Sequence, residues 1–336
     1  MYRQVLAASA ALILLASTAA IAVNETPYLS AQRLVDVGGG RRLNIYCTGA
    51  GSPTVILDGA IGSSAFVWNK VQPQLANHVR VCSYDRAGYG FSDPGGLPHT
   101  TSANVKDLHA LLRNAHIAPP YVLVTHSLNG FDGWIFADRY RGELAGLVQI
   151  EPSNVEEGRF ATIEGQKKFD AANAADLQFM NACARKARRH QLKAGDDCVG
   201  PNDPKLSTRL NKIEKEHSTS PSMWDAVLSE RMSLPADIRE VKREQRAYGN
   251  LPLIVLTAGM TQDAPDSTAP QRLASKHLWA ELRAQDAARS NLGVNCVVAG
   301  AGHYIQLDKP NVVSAAVLEI MRSGSKGRKP DCTRLH

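Results

Sequence analysis

The sequence predicts an α/β protein: a mostly parallel, eight-stranded sheet flanked by helices, with a helical cap inserted into it. Three observations carry the prediction. Short apolar runs suited to buried strands, such as Val55-Ile56-Leu57 and Val122-Leu123-Val124, alternate with segments whose apolar residues recur at helical spacing. Eight such strand-like runs can be counted along the chain. From about Pro152 to Asn250 the alternation stops and long charged helical stretches replace it. A block of different character between two strands of one sheet reads as an insertion over the sheet's edge, so 31–151 and 251–323 form the core and 152–250 the cap.

The elements follow in order. Arg3 precedes an apolar run from Val5 to Val23 that ends in Ala20-Ile21-Ala22. A charged start, an apolar stretch and a small-x-small site make residues 1–22 a signal peptide, with an uncleaved membrane anchor as the alternative. Arg33 to Val37 and Arg42 to Cys47 make a hairpin around Gly38-Gly39-Gly40. The triple glycine lacks the spacing of a dinucleotide loop and no helix follows it, which discards that reading. Thr54 to Leu57 is a strand, then a helix is expected from Ser64 to Leu75. Arg80 to Tyr84 is the fourth strand. Thr101 to His116 is a helix with Leu108, Leu111 and Leu112 at core spacing and Thr101 or Ser102 as its cap. Tyr121 to Val124 and Leu147 to Glu151 are strands on the near side of the cap. The cap would shape the substrate pocket through Phe169, Phe179, Met180, Trp224 and Met232, although each of them singly reads first as cap core. Leu253 to Thr257 resumes the sheet, followed by a helix with Leu273, Leu278 and Leu282. Asn295 to Ala299 is the last strand, a helix runs through Val312 to Met321, and 324–336 is a tail.

The net charge of +6 is modest. Its densest basic cluster, Arg185-Lys186-Ala187-Arg188-Arg189-His190, reads as a solvated helix face without the aromatic interleaving of a nucleic-acid site. No nucleic-acid partner is expected. The six cysteines contain no C-x-x-C and no metal-ligand spacing, so an exported chain should use them as disulfides. Cys183 and Cys198 flank a short polar loop and make a local pair. Cys296 and Cys332 are left to tie the tail to the last strand.

The chemistry centres on Tyr121-Val122-Leu123-Val124-Thr125-His126-Ser127-Leu128-Asn129-Gly130. A serine at a strand-to-helix junction is held on a strained turn with its Oγ over a crevice, and the next backbone N–H is ready for a developing oxyanion. A hydroxyl is a weak nucleophile, so it needs a histidine base and a carboxylate to orient that base. The stretch resembles the nucleophile elbow of the α/β-hydrolase fold, usually Gly-x-Ser-x-Gly, with Thr125 and Asn129 where the glycines usually stand. Those two side chains imply crowding or a slightly reset turn. Asp85-Arg86-Ala87-Gly88-Tyr89-Gly90-Phe91-Ser92 resembles the family's Asp-Arg-x-Gly-x-Gly-x-Ser loop, in which Asp85 and Arg86 suit a paired, structural role.

The resemblance covers about Ala31 to Ser323 and implies the remaining roles. Asp58-Gly59-Ala60 is similar to the family's His-Gly loop, with Asp58 replacing the histidine, so the backbone amides of Ala60 and Leu128 would form the oxyanion hole. Gly302-His303-Tyr304 after the last strand resembles the catalytic-histidine loop and makes His303 the base, whereas His126 flanks the nucleophile and points away from it. Asp263, past the seventh strand, holds the usual position of the acid; Asp266 is a nearby spare. Glu151, ending the sixth strand, is the alternative. The family's sheet order also makes the strands of Cys47 and Cys82 neighbours, which implies that pair. The implied activity is an exported, periplasmic or secreted serine hydrolase cleaving a small carboxylic ester through an acyl-enzyme, with no cofactor and no metal. An aminopeptidase, a lactonase or a catalytically silent binding protein are the alternatives.

Overall fold

The computed structural model describes residues 24–244, 246–260 and 267–335. Among them eight strands form one sheet: β1 Leu34–Gly38, β2 Arg41–Thr48, β3 Thr54–Asp58, β4 Val81–Tyr84, β5 Tyr121–His126, β6 Leu144–Ile150, β7 Leu253–Ala258 and β8 Gly293–Val298. They lie in the order β1-β2-β4-β3-β5-β6-β7-β8. β1 pairs with β2 and β2 with β4 in antiparallel fashion, and every other pairing is parallel. Strands β3, β4, β5 and β7 are buried along their whole length, as strands must be when helices cover both faces. Alternate residues serve the two faces. Val122 and Val124 pack with Val313, Val317 and Ile320 on one side, while Tyr121 and Leu123 pack with Leu108, Leu111 and Trp134 on the other.

The helices are α1 Gln72–Ala76, α2 Thr101–Asn114, α3 Gly130–Arg139, α4 Ala161–Glu164, α5 Gln166–Arg188, α6 Thr208–Ser218, α7 Pro221–Glu244, α8 Ala269–Ala287, α9 Ile305–Asp308 and α10 Pro310–Gly324. Two differ from the sequence expectation. The helix expected over Ser64–Leu75 is split into a 3₁₀ turn at Ala65–Trp68 and the short α1, because Pro73 has no N–H to continue the earlier turn. The cap of α2 is Thr100, whose hydroxyl accepts from Ala103 N at 3.1 Å, rather than Thr101 or Ser102.

Helices α4 to α7 all fall between β6 and β7. Of these, α5 and α7 share an apolar cluster built from Cys183, Ala187, Trp224 and Val227. Of the five apolar residues expected inside this block, only Trp224 is buried. Phe179 is 43% and Met232 65% exposed, and Phe169 and Met180 are half-buried. Long amphipathic helices pack one stripe each, and these two side chains fall off the stripe.

Disulfides join Cys47 to Cys82, Cys183 to Cys198 and Cys296 to Cys332, with Cα–Cα distances of 4.1, 5.6 and 5.5 Å. The first links facing register positions of β2 and β4. No free cysteine is present among the described residues. No described helix is long and apolar enough to cross a membrane; segment 1–22 lies outside the described residues.

Candidate active site

β5 runs up the middle of the sheet between β3 and β6, and Ser127 is the first residue past its carboxyl end. Its φ of 59° is left-handed, which a non-glycine residue adopts only where its surroundings over-determine the backbone. Those surroundings are the strand below, the helix above, and Ser153 N, which donates to Ser127 O at 2.9 Å. The departures from the glycine pattern are absorbed across the turn. Thr125 is fully buried and donates to Gln149 Oε1 at 2.6 Å. Opposite it stands Gly133 of α3, where a Cβ would lie 2.6 Å from Gln149 Nε2 and 3.1 Å from Thr125 Oγ1. The space usually left by a glycine in the strand is left by one in the helix instead. Asn129 turns into the first turn of α3 and donates to Asp132 Oδ2 at 2.8 Å.

His303 lies in the loop between β8 and α9, and its Nε2 is 2.9 Å from Ser127 Oγ. Its Nδ1 faces Glu151 Oε2 at 3.7 Å. Glu151, the first residue past β6, has a φ of 44° and is a second left-handed non-glycine residue at the carboxyl edge of the sheet. Its other oxygen accepts from Ala258 N at 2.6 Å and from Trp279 Nε1 at 3.5 Å. Behind it, the buried Arg283 donates to Pro152 O, pairs with Asp286 at 3.1 Å and stacks on Trp279 at 4.0 Å. The turn that presents Glu151 is therefore tied to α8. Asp263 and Asp266 lie outside the described residues. Ala60 follows β3, and Leu128 opens the turn after Ser127, where helix geometry supplies no intrahelical acceptor for its N–H. Among the described residues neither amide has an acceptor.

A serine and a histidine joined in this way, at the carboxyl edge of a parallel sheet, have the geometry a nucleophile and its base require. The model of the alpha/beta hydrolase family matches residues 49–316 of this sequence. The chain belongs to the alpha/beta hydrolase family. It is 21% identical over 272 residues to the uncharacterized protein YqjL of Bacillus subtilis (strain 168), covering 81% of this chain and 85% of that one. It is 32% identical over 115 residues to a 2-hydroxy-6-oxo-2,4-heptadienoate hydrolase of Pseudomonas putida, covering 33% of this chain and 41% of that protein. Among solved structures it is similar to a thermophilic esterase from Thermogutta terrifontis, with a TM-score of 0.59, 18% identity, and 88% and 99% of the two chains covered.

Two features of this hydrolase were not legible in its sequence. Asp85 and Arg86 do not pair with each other. Asp85 accepts from Ala65 N at 2.7 Å and Phe91 N at 3.1 Å, as a carboxylate in a turn does, while Arg86 reaches Asp58 and Glu230. Secondly, His126 does point away from Ser127, but toward the loop that carries His303. Its Nε2 is 2.9 Å from His303 O and its Nδ1 is 3.1 Å from Gln306 Nε2. An amide NH₂ only donates, so Nδ1 is the acceptor and Nε2 carries the proton given to His303 O. Burial, then the neighbouring His303, push the His126 pKa down to about 3. The unfolded chain therefore binds a proton there that the fold refuses, so this residue's stability is complete above about pH 6.5 and is lost as pH falls toward 3. His126→Gln should remove that acid-sensitive component, worth about 1.4 kcal/mol per pH unit within the window. Urea unfolding of both proteins from pH 7 to pH 4 checks this: the stability gap should narrow as pH falls, and parallel curves would contradict it.

Proposed function

We propose that the chain is an exported serine hydrolase that cleaves small carboxylic esters through an acyl-enzyme. The observation that carries this reading is the 2.9 Å contact between Ser127 Oγ and His303 Nε2, made from a left-handed turn at the end of β5. Ser127 Oγ bonds to the acyl carbon while its proton passes to His303 Nε2 and the carbonyl electrons move to oxygen. The backbone amides of Ala60 and Leu128 hold that oxyanion. Collapse breaks the bond to the leaving oxygen, which takes the proton from His303. Water then attacks the acyl-enzyme, His303 again takes and returns a proton, and the acid and free Ser127 are released.

Glu151 is our choice for the acid that orients His303, because its Oε2 is 3.7 Å from Nδ1 and its other oxygen is fixed to Ala258 N. A serine nucleophile suits ester, amide and lactone substrates alike, whereas the family's epoxide hydrolases and haloalkane dehalogenases use aspartate. Helices α4 to α7 would act as the cap: Ser222 and Ser229 of α7 bond Gly88 O and His99 N, in the long loop that follows β4. Three disulfides suit an oxidising compartment and, with the N-terminal 1–22 segment, support export.

The test is a panel of p-nitrophenyl esters of graded chain length beside aminoacyl anilides and lactones, with the Ser127→Ala protein as the blank. Esters should give the highest kcat/KM. Faster anilide turnover would make the chain an aminopeptidase, faster lactone turnover a lactonase, and no turnover of any kind a binding protein.

A further inference from the structure

One side chain holds the carbonyls of Gly59 and Ala60. Arg86 donates from Nη1 to Gly59 O at 2.7 Å and from Nη2 to Ala60 O at 2.9 Å. The Gly59 carbonyl and the Ala60 N–H belong to one peptide unit. That unit is trans, so its C=O and N–H are antiparallel, and fixing the oxygen fixes the direction of the N–H. A cation at the carbonyl end also polarises the unit and makes its N–H a stronger donor, the more so where water is excluded. Water is excluded here: the side chains of Arg86, Asp58 and Glu230 are 3%, 1% and 4% exposed.

Arg86 is itself held from two sides. Asp58 Oδ1 lies 3.2 Å from Nη1, in the position the family usually gives to histidine. Glu230 Oε1 lies 3.4 Å from Nε, and Glu230 Oε2 accepts from Tyr89 OH at 3.0 Å while Arg86 lies over the Tyr89 ring at 4.6 Å. Asp58 is the last residue of β3 and Arg86 lies in the loop after β4, whereas Glu230 belongs to α7, in the inserted block. The guanidinium is the joint between that block and the peptide carrying the Ala60 amide.

We propose that Arg86 is a positioning residue for the Ala60 oxyanion donor, and that Glu230 sets the place of Arg86 and so couples α7 to the rate of acyl transfer. The proposal rests on the reading of Ala60 N–H as an oxyanion donor. A guanidinium serving only as a core staple would affect stability, whereas one aiming an oxyanion donor affects kcat and the affinity for tetrahedral adducts.

The experiment compares the wild-type protein with Arg86→Lys, Arg86→Gln and Glu230→Gln on the best ester of the panel. Folding is checked by circular dichroism, and binding of phenylboronic acid, which forms a tetrahedral adduct on an activated serine, is measured alongside. Removing an oxyanion donor outright costs about 10²–10³-fold in kcat, so misaiming one should cost about 10–100-fold in the Arg86 variants and several-fold in Glu230→Gln. KM should stay within about twofold, because the ground-state carbonyl gains little from the hole. Boronate affinity should fall in proportion to kcat/KM. Glu230→Gln keeps the size of the side chain and an acceptor for Tyr89 OH, so it decides the matter if the Arg86 variants do not fold. Folded variants with wild-type kcat, losses confined to KM, or unchanged boronate affinity would each overturn the proposal while leaving the serine-hydrolase reading intact. A wild-type protein inert to both esters and boronate would remove that reading, and this proposal with it.

Discussion

Ser127→Ala should lower kcat by about 10⁵–10⁶-fold on any ester the protein accepts, with KM and the fold little changed. The size follows from the chemistry. Without the hydroxyl, His303 has no nucleophile to activate, and only the oxyanion amides and binding remain to assist direct attack by water. The fold should survive because the only side-chain partner of Ser127 Oγ among the described residues is His303 Nε2, a residue 33% exposed in its side chain. Alanine at a φ of 59° carries about the same backbone strain as serine, so unfolding stability should change by less than about 1 kcal/mol. Steady-state kinetics on freshly purified variant, with thermal melting beside it, is the measurement. Retention of more than about a hundredth of the activity would exclude Ser127 as the nucleophile.

Glu151→Gln should be the next most damaging change, at about 10³–10⁴-fold in kcat, and Asp263→Asn should cost far less. The amide keeps an oxygen for Ala258 N, so the turn between β6 and the cap is preserved. What is lost is the negative charge opposite His303 Nδ1, which fixes the imidazole's tautomer and stabilises the imidazolium formed as Ser127 attacks. The imidazole itself remains in place, so the loss is smaller than for Ser127. Equal folding of both variants, checked by melting, makes the comparison fair. If Asp263→Asn is the crippled protein and Glu151→Gln is not, the acid comes from past β7, where the family usually keeps it.

That choice marks the edge of what the chain's sequence discloses. The inner strands are visible because burial on both faces demands near-continuous apolar runs, and the proposed pair, Ser127 and His303, is visible because each follows a strand near a glycine. The acid is not, because a carboxylate can reach the base loop from the end of β6 or of β7 and neither position leaves a periodic trace. Glu151 is favoured here by a 3.7 Å separation that only folding creates. The substitution of Thr125 for glycine looked like crowding at the elbow; its compensation, Gly133, lies eight residues on and depends on how α3 crosses β5. Adjacency in sequence suggests that Arg86 serves with its neighbour Asp85, yet its partners Asp58 and Glu230 are 28 and 144 residues away. His126 and Gln306, which hold the base loop from below, are likewise brought together across 180 residues. Contacts of that range are set by the order of the strands, and motif spacing carries no record of them.

Whether Ser127 is an activated nucleophile can be measured without a known substrate. Purified wild-type protein is treated with a fluorophosphonate, digested and mapped by mass spectrometry, beside the Ser127→Ala and His303→Ala variants. Fluorophosphonates phosphonylate a serine only when a base has raised its nucleophilicity. A single adduct is expected on the peptide carrying Ser127, absent from Ser127→Ala and nearly absent from His303→Ala. An unlabelled wild-type protein, or labelling that persists when His303 is gone, would contradict it.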